Sequence, residues 1–121
     1  MKFKGRDRTR YGKRHKPGEM NQTEAAYAEL LEAEKLAGKV LWWRFEAVTL
    51  KLADDSRWTP DFAVLYSDLS MEFVDCKGGG PIDPNSMTKI KFAADKFPMF
   101  GFAQEKKRAK KDGGGFERRE F

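Results

Sequence analysis

Three charged side chains in the middle of the chain could form one chemical site. Asp61 begins one apolar segment, and Asp75 and Lys77 close the next, directly before three glycines. Side chains alternate along a strand, so Asp75 and Lys77 point to the same face. If the two segments pair antiparallel through a turn near Ser67, Asp61 lies beside them. Two carboxylates and a lysine would then converge at one end of a sheet.

Carboxylates placed in this way could hold a divalent cation. Asp61, Asp75 and the backbone carbonyl of Cys76 would give Mg²⁺ a partial shell of oxygen ligands, and we expect Mn²⁺ to substitute. Lys77 could orient or deprotonate an attacking water, or stabilise charge on a phosphate. Glu24 could accept a hydrogen bond from a water of the metal shell or bind a second metal. One His and one Cys in the chain argue against zinc.

Each of these residues also has a purely structural interpretation. Asp61 could cap a turn after the preceding proline. Asp75 and Lys77 could form a surface ion pair, which contributes only about 0–1 kcal/mol. Glu24 could serve only in a helix-capping box, and the Cys76 side chain is expected to be a small buried hydrophobe. A single site is favoured over these separate structural roles because the acids and the lysine all occur where the order of helices and strands would bring them together.

The elements that would position these residues follow from apolar periodicity, caps and turns. The predicted helices cover residues 21–38, with Asn21 as N-cap and Gly38 after the last turn, and residues 84–97. The predicted strands cover residues 39–55, 58–66, 71–77 and 99–104. The resulting order, α-β-β-β-α-β, predicts an α/β fold in which two helices flank a mixed sheet.

Basic residues are concentrated at both ends of the chain, whose net charge is +5. Residues 1–20 hold eight Lys or Arg against two acids, and residues 105–121 hold seven against four. Such segments suit a polyanion such as DNA, and solvated tails are the alternative. We therefore expect a domain over residues 21–104 between a flexible basic arm and a flexible basic tail. The candidate DNA contacts in the arm and tail are Arg6, Arg8, Arg10, Lys13, Arg14, Lys106, Lys107 and Arg108.

Length and composition exclude several classes of protein. The chain has 121 residues, 40% of them hydrophobic, which is enough for one modest core. No apolar run approaches the roughly 20 residues of a membrane helix, and no apolar segment follows the basic start as in a signal peptide. A single cysteine allows no internal disulfide, which fits a reducing cytoplasm. We expect a single domain with no membrane partner.

The motif and the order of elements resemble the PD-(D/E)xK nuclease superfamily, whose core has the same α-β-β-β-α-β order. The segments "WTPDF" and "DCKGG" contain Asp61, Asp75 and Lys77, and Glu24 matches an acid that many members carry on the first helix. With the upstream "RFEAVTLKLA", these segments look like a phage-encoded branch of the superfamily. They are also similar to the endonuclease I type of Holliday junction resolvase of bacteriophages. The resemblance covers about residues 21–104.

This resemblance implies a restriction-endonuclease-like core and Mg²⁺-dependent hydrolysis of DNA phosphodiester bonds. Asp61, Asp75 and Glu24 would be the metal-binding acids, and Lys77 would be the catalytic lysine. Asp75 stands where the junction-resolving enzymes usually carry Glu, so the resemblance does not decide to which branch of the superfamily the chain is most similar. The other nearby acid, Glu72, falls on the opposite strand face and is excluded.

Further expectations about substrate and partners also come from the resemblance. It implies branched DNA as substrate in phage recombination or replication, a homodimer that makes two symmetric cuts, and the host cytoplasm as location. Lys89 or Lys91 on the second helix would contact the scissile phosphate, and a solvated helix face is the alternative for each. Two other functions stay open: a non-catalytic DNA-binding protein with a nuclease fold, and a phage protein that binds a host protein.

Overall fold

The computed structural model describes residues 18–121 and has an α/β architecture. A five-stranded mixed sheet lies between two helices, and a two-stranded sheet accompanies it. No helix in the described range is both long and apolar enough to cross a membrane. The predicted DNA contacts Arg6, Arg8, Arg10, Lys13 and Arg14 lie outside the described residues.

The order of elements places one parallel strand pair at the centre of the sheet. The helices are α1 (Gln22–Leu36) and α2 (Pro84–Lys96). The strands are β1 (Val40–Phe45), β2 (Leu50–Ala53), β3 (Ser56–Trp58), β4 (Phe62–Tyr66), β5 (Met71–Lys77), β6 (Gly101–Lys107) and β7 (Phe116–Glu120). The large sheet has the order β1-β4-β5-β6-β7. Among the strands of residues 18–121, only β5 and β6 pair in parallel, and α2 forms the crossover between them.

Helix α1 begins and ends where the sequence predicts. The side chain of Asn21 accepts a hydrogen bond from the Glu24 N–H, and the Glu24 side chain accepts one from the Asn21 N–H, which completes a capping box. Gly38 follows the helix with a φ of +86°, a conformation that glycine adopts without strain. Tyr27 and Leu31 are buried on the inner face. The predicted helix is confirmed.

Alternating side chains of the sheet build one apolar layer against each helix, as predicted for a sheet between two helices. Phe62, Val64 and Val74 pack under α1 together with its own Tyr27 and Leu31. The opposite face packs against α2 through Ala63, Phe73, Phe102, Ile90 and Ala93. Residues adjacent on β5 thus belong to different layers. Asp75 is two residues after Phe73 on β5, so its side chain lies on the same face, against α2.

The single long strand predicted over residues 39–55 is wrong, because this segment forms two strands in different sheets. β1 ends at Phe45, and Glu46 adopts a left-handed φ of +50°. A non-glycine residue in this region turns the chain out of the sheet. The segment then continues as β2, which pairs with β3 in the small sheet, and Leu52 packs in the α2 layer. Apolar residues continue on both sides of Glu46, so the composition of the segment does not reveal this break.

The strand predicted over residues 58–66 is also divided. β3 ends at Trp58 and β4 begins at Phe62. Pro60, which is buried between them, has no backbone N–H to donate to a neighbouring strand. The break gives Asp61 a backbone position outside the sheet ladder.

The flexible tail predicted for residues 105–121 is wrong for most of its length. β6 extends to Lys107, three residues beyond the predicted end, and β7 pairs antiparallel with it. A short 3₁₀ turn at Lys110–Asp112 and three glycines with φ of +102°, +65° and +69° reverse the chain between them. Phe116 then packs edge-on against Tyr27 at 5.3 Å. The sheet is one strand wider than the predicted core.

Candidate functional site

Asp61 is fixed in the break between β3 and β4 and reaches the end of β5. Its Oδ2 accepts a hydrogen bond from the backbone N–H of Cys76 at 2.8 Å. Its backbone carbonyl accepts another from the N–H of Glu46, also at 2.8 Å. The carboxylate thus makes a long-range contact with β5 rather than a local turn cap, and both its side chain and its backbone are held in place.

Asp75 and Lys77 lie together on the α2 face of β5. Asp75 is only 6% exposed, and the Lys77 Nζ donates to its Oδ2 at 2.9 Å. The same Nζ donates to the Oγ of Ser86 on the first turn of α2, also at 2.9 Å. Because Asp75 is buried, this pair is not the exposed surface ion pair that the sequence left open. Ser86 was not singled out from the sequence, although a hydroxyl beside a glycine run was a usable signal.

The carboxyl group of Asp61 lies within the electrostatic influence of Asp75. Burial, followed by the negative charge of Asp75, raises the pKa of Asp61 from 3.8 to about 8, and the N–H of Cys76 partly opposes this. Like charges in a poorly solvated place disfavour joint ionisation. Lys77 supplies one positive charge for two carboxylates, so a bound cation would relieve the remaining repulsion.

Replacing Asp61 with Asn should stabilise the metal-free protein at alkaline pH. The unfolded chain ionises Asp61 near pH 4 but the folded chain only near pH 8, so its contribution to stability falls as the pH rises between these values. The slope is about 1.4 kcal/mol per pH unit at most. In EDTA, the Tm difference between Asp61→Asn and wild type should therefore grow in favour of the variant from pH 5 to pH 8. A difference independent of pH, or matched by the exposed control Asp55→Asn, would contradict this origin.

Glu24 is close to the two aspartates but has a structural task of its own. Its Oε1 accepts the Asn21 N–H at 2.9 Å in the capping box. Its charge also contributes to raising the pKa of Asp61, after burial and Asp75. Glu24 therefore satisfies the capping alternative and lies beside the candidate site, as the sequence allowed. No direct hydrogen bond joins Glu24 to either aspartate among the described contacts.

The remaining predicted residues lie around the group of Asp61, Asp75 and Lys77. Burial, and then the charge of Asp61, raises the pKa of the Cys76 thiol, so this side chain stays a neutral, buried group. Lys89 donates to the backbone carbonyl of Arg57 at 3.1 Å. Lys91 is exposed on α2. Neither lysine is joined by a described hydrogen bond to the aspartates.

Lys106, Lys107 and Arg108 lie at the end of β6 rather than in a tail. Lys106 is the register partner of Lys77 on the neighbouring parallel strand. With Gly79 and Gly80 these three basic residues line a groove of about 610 Å³. Two acids, Asp112 and Glu117, line the same groove. The β5–β6 pairing thus brings a groove with three basic and two acidic side chains to the same end of the sheet as Asp75 and Lys77.

A second charged cluster lies on the opposite face, under α1. Arg118 of β7 forms ion pairs with Glu72, with Glu105 at 2.8 Å and with Glu120 at 2.9 Å. Tyr66 donates to Glu72 at 2.6 Å, and Tyr27 lies 3.4 Å from Glu105. The exclusion of Glu72 from the site agrees with this position. The cluster was missed from the sequence because β7 was taken for a tail.

The donor set of the candidate site fits an oxygen-bound cation in part. Within residues 18–121, no three His, Cys, Asp or Glu side chains are close enough together to hold a metal ion by themselves. Asp61 and Asp75 offer two carboxylates whose mutual repulsion a cation would relieve, with the carbonyl of Cys76 nearby along β5. Mg²⁺ commonly takes one or two carboxylates and completes its shell with water and substrate phosphate. The residues present therefore suit Mg²⁺.

Comparison with known proteins finds no relative of this chain. No protein-family model matches the chain, and no curated protein or solved structure is significantly similar to it.

Proposed function

We propose that this protein is a Mg²⁺-dependent DNA endonuclease with a restriction-endonuclease-like core of the PD-(D/E)xK type. The observation that carries the proposal is the convergence of Asp61, Asp75 and Lys77 at one end of the sheet. These residues come from one strand, β5, and the loop before β4, and they lie beside the exposed glycines 78–80. The strongly raised pKa of the Asp61 carboxyl in such a place favours a functional site over a structural one.

Each side chain has a specific task in phosphodiester hydrolysis. Asp61 and Asp75 would bind Mg²⁺ with the backbone carbonyl of Cys76, and Glu24 would accept a hydrogen bond from nearby water. The metal supplies polarisation of the phosphate and a lower pKa for the attacking water. Lys77 uses two of its three N–H donors on Asp75 and Ser86. The third can donate to a phosphate oxygen or hold the attacking water in line.

The charge around the site supports DNA as the substrate. Lys106, Lys107 and Arg108 line the groove next to the site, and contacts of this kind hold a phosphate backbone without reading its sequence. Lys89 and Lys91 on α2, with the basic residues of the N-terminal segment, would extend the binding surface. DNA binding by these groups should weaken steeply as salt is added.

Branched DNA is the proposed substrate within this class. The proposal rests on the "WTPDF" and "DCKGG" segments, which resemble the endonuclease I type of Holliday junction resolvase. It implies a homodimer, since two symmetric cuts suit a twofold assembly, and a role in phage recombination or replication in the host cytoplasm.

Cleavage of matched substrates tests the substrate proposal. A labelled four-way junction should be cut in Mg²⁺ at least about tenfold faster than a linear duplex or single strand of the same sequence. Equal cutting of all three would keep the nuclease and remove the branched-DNA proposal. Salt-dependent retention of a host protein, with no affinity for any of the three DNAs, would favour the protein-binding alternative instead.

A further inference from the structure

Gln104 is a buried polar residue that the proposed chemistry does not yet use. It is 1% exposed, and neither its Nε2 nor its Oε1 has a hydrogen-bond partner among residues 18–121. An unpaired amide in the interior weakens the folded state, and native proteins seldom keep one without a reason. Its place is informative, because Gln104 is the register partner of Asp75 on the neighbouring parallel strand. Both side chains therefore lie on the α2 face.

Gln104 is one of the residues that line a small cavity. The cavity has a volume of about 210 Å³ and is also lined by Ile82, Lys106, Glu117 and Arg119. It adjoins the larger groove of about 610 Å³, with which it shares Lys106 and Glu117. Basic side chains thus continue from the cavity into the groove, where Lys107 and Arg108 follow. The acids along this path are Glu117, which lines both spaces, and Asp112, which lines the groove.

We propose that this cavity and groove are the path of the DNA strand beside the cleaved bond, and that Gln104 is a substrate contact. The phosphate next to the one that is cleaved would occupy the cavity between Lys106 and Arg119. Gln104 would donate its amide N–H to an oxygen of this phosphate, which gives the buried amide the partner that it lacks. The strand would then continue over Gly79 and Gly80, where the absence of side chains leaves room for a backbone. This inference rests on the proposed function, because it presumes that Asp75 marks the cleaved bond.

Gln104→Met provides the sharpest test, because methionine nearly matches glutamine in shape and removes only the amide. The Tm of the variant should equal or exceed that of wild type, since no buried amide is left unpaired. Its affinity for a fluorescent DNA strand should fall about tenfold, because hydrogen bonds to charged groups are the stronger ones. Binding is measured by anisotropy in EDTA, so no cleavage is required. The matched control is Gln22→Met, at an exposed position on α1.

Lys106→Gln and Arg119→Gln give a second, independent readout at positions that are not needed for the core. Each should reduce the slope of log affinity against log salt by about 0.7–0.9, the contribution of one phosphate contact. Lys35→Gln, on the exposed side of α1, should leave the slope unchanged.

The possible outcomes separate this inference from the proposed function. Weaker binding by Gln104→Met, Lys106→Gln and Arg119→Gln would support the strand path, even if the protein proved to be inactive as a nuclease. Unchanged affinity and salt slope in these variants, beside metal-dependent cleavage by wild type, would overturn the strand path and leave the nuclease proposal standing. A large loss of Tm in Gln104→Met with unchanged DNA affinity would show that the amide has a structural role.

Discussion

Asp75→Asn should lower the rate of Mg²⁺-dependent DNA cleavage by about 10³-fold while the protein stays folded. A metal ion supplies several kcal/mol of transition-state stabilisation, and each 1.4 kcal/mol corresponds to a factor of ten in rate. Asparagine keeps the volume of the side chain and can still accept the hydrogen bond from Lys77. It also removes the charge of Asp75 beside Asp61, which offsets part of the cost of breaking the ion pair with Lys77.

Single-turnover rates on a labelled DNA, with enzyme in excess, measure this loss free of product release. Asp95→Asn, which changes an exposed acid on α2, is the control for a general effect of charge on DNA binding. Equal rates for wild type and Asp75→Asn would contradict the role of Asp75. A loss of the same size in Asp95→Asn would show that the measurement reports charge rather than the site.

Arg118→Met should destabilise the protein by about 1–3 kcal/mol at pH 7. Glu72 and Glu105 are buried to 8% and 7% exposure, and Arg118 is the cation that pairs with both. Removing Arg118 leaves two buried carboxylates without their cation, which is destabilising. The Arg118 side chain is about one-third exposed, so solvent screens part of this loss. The tyrosine hydroxyls that contact Glu72 and Glu105 remain, so the lower half of this range is expected.

The pH dependence of this loss identifies its cause. Burial already raises the pKa of Glu105, and loss of Arg118 should raise it further. A carboxyl group whose pKa is higher in the folded than in the unfolded state makes the protein less stable as the pH rises. The loss in free energy of unfolding caused by Arg118→Met should therefore be smaller at pH 5 than at pH 7. Urea unfolding at both pH values measures it, with exposed Arg57→Met as control. A deficit below about 1 kcal/mol at pH 7 would contradict the importance of the cluster.

The parts of the fold that follow from local patterns were predictable from the sequence. The capping box of Asn21 and Glu24 defines the start of α1. The segment Met71–Lys77, which lies between a turn and three glycines and alternates in side-chain direction, forms β5 with its predicted ends. The same alternation places Asp75 and Lys77 on one face, and a short turn brings the preceding strand beside them. Proximity of Asp61 to Asp75 needed only these local elements.

Features that depend on distant partners could not be read in this way. The break at Glu46 is a backbone conformation that composition does not reveal, so β1 and β2 were predicted as one strand. β7 contains one apolar residue in five, and its stability comes from Arg118 reaching Glu72 and Glu105, far away in the sequence. Gln104 becomes notable only when the β5–β6 register places it beside Asp75.

The most direct test of the central claim is whether the purified protein cuts DNA in a metal-dependent way. Wild-type protein and a labelled four-way junction are incubated with Mg²⁺, with Mn²⁺, or with EDTA followed by excess Mg²⁺. The Asp61–Asp75–Lys77 site predicts products in both metals, none in EDTA, and recovery when Mg²⁺ is returned. Undiminished cutting in EDTA would refute the metal role of the two aspartates. DNA binding without cutting in either metal would instead identify a non-catalytic DNA-binding protein.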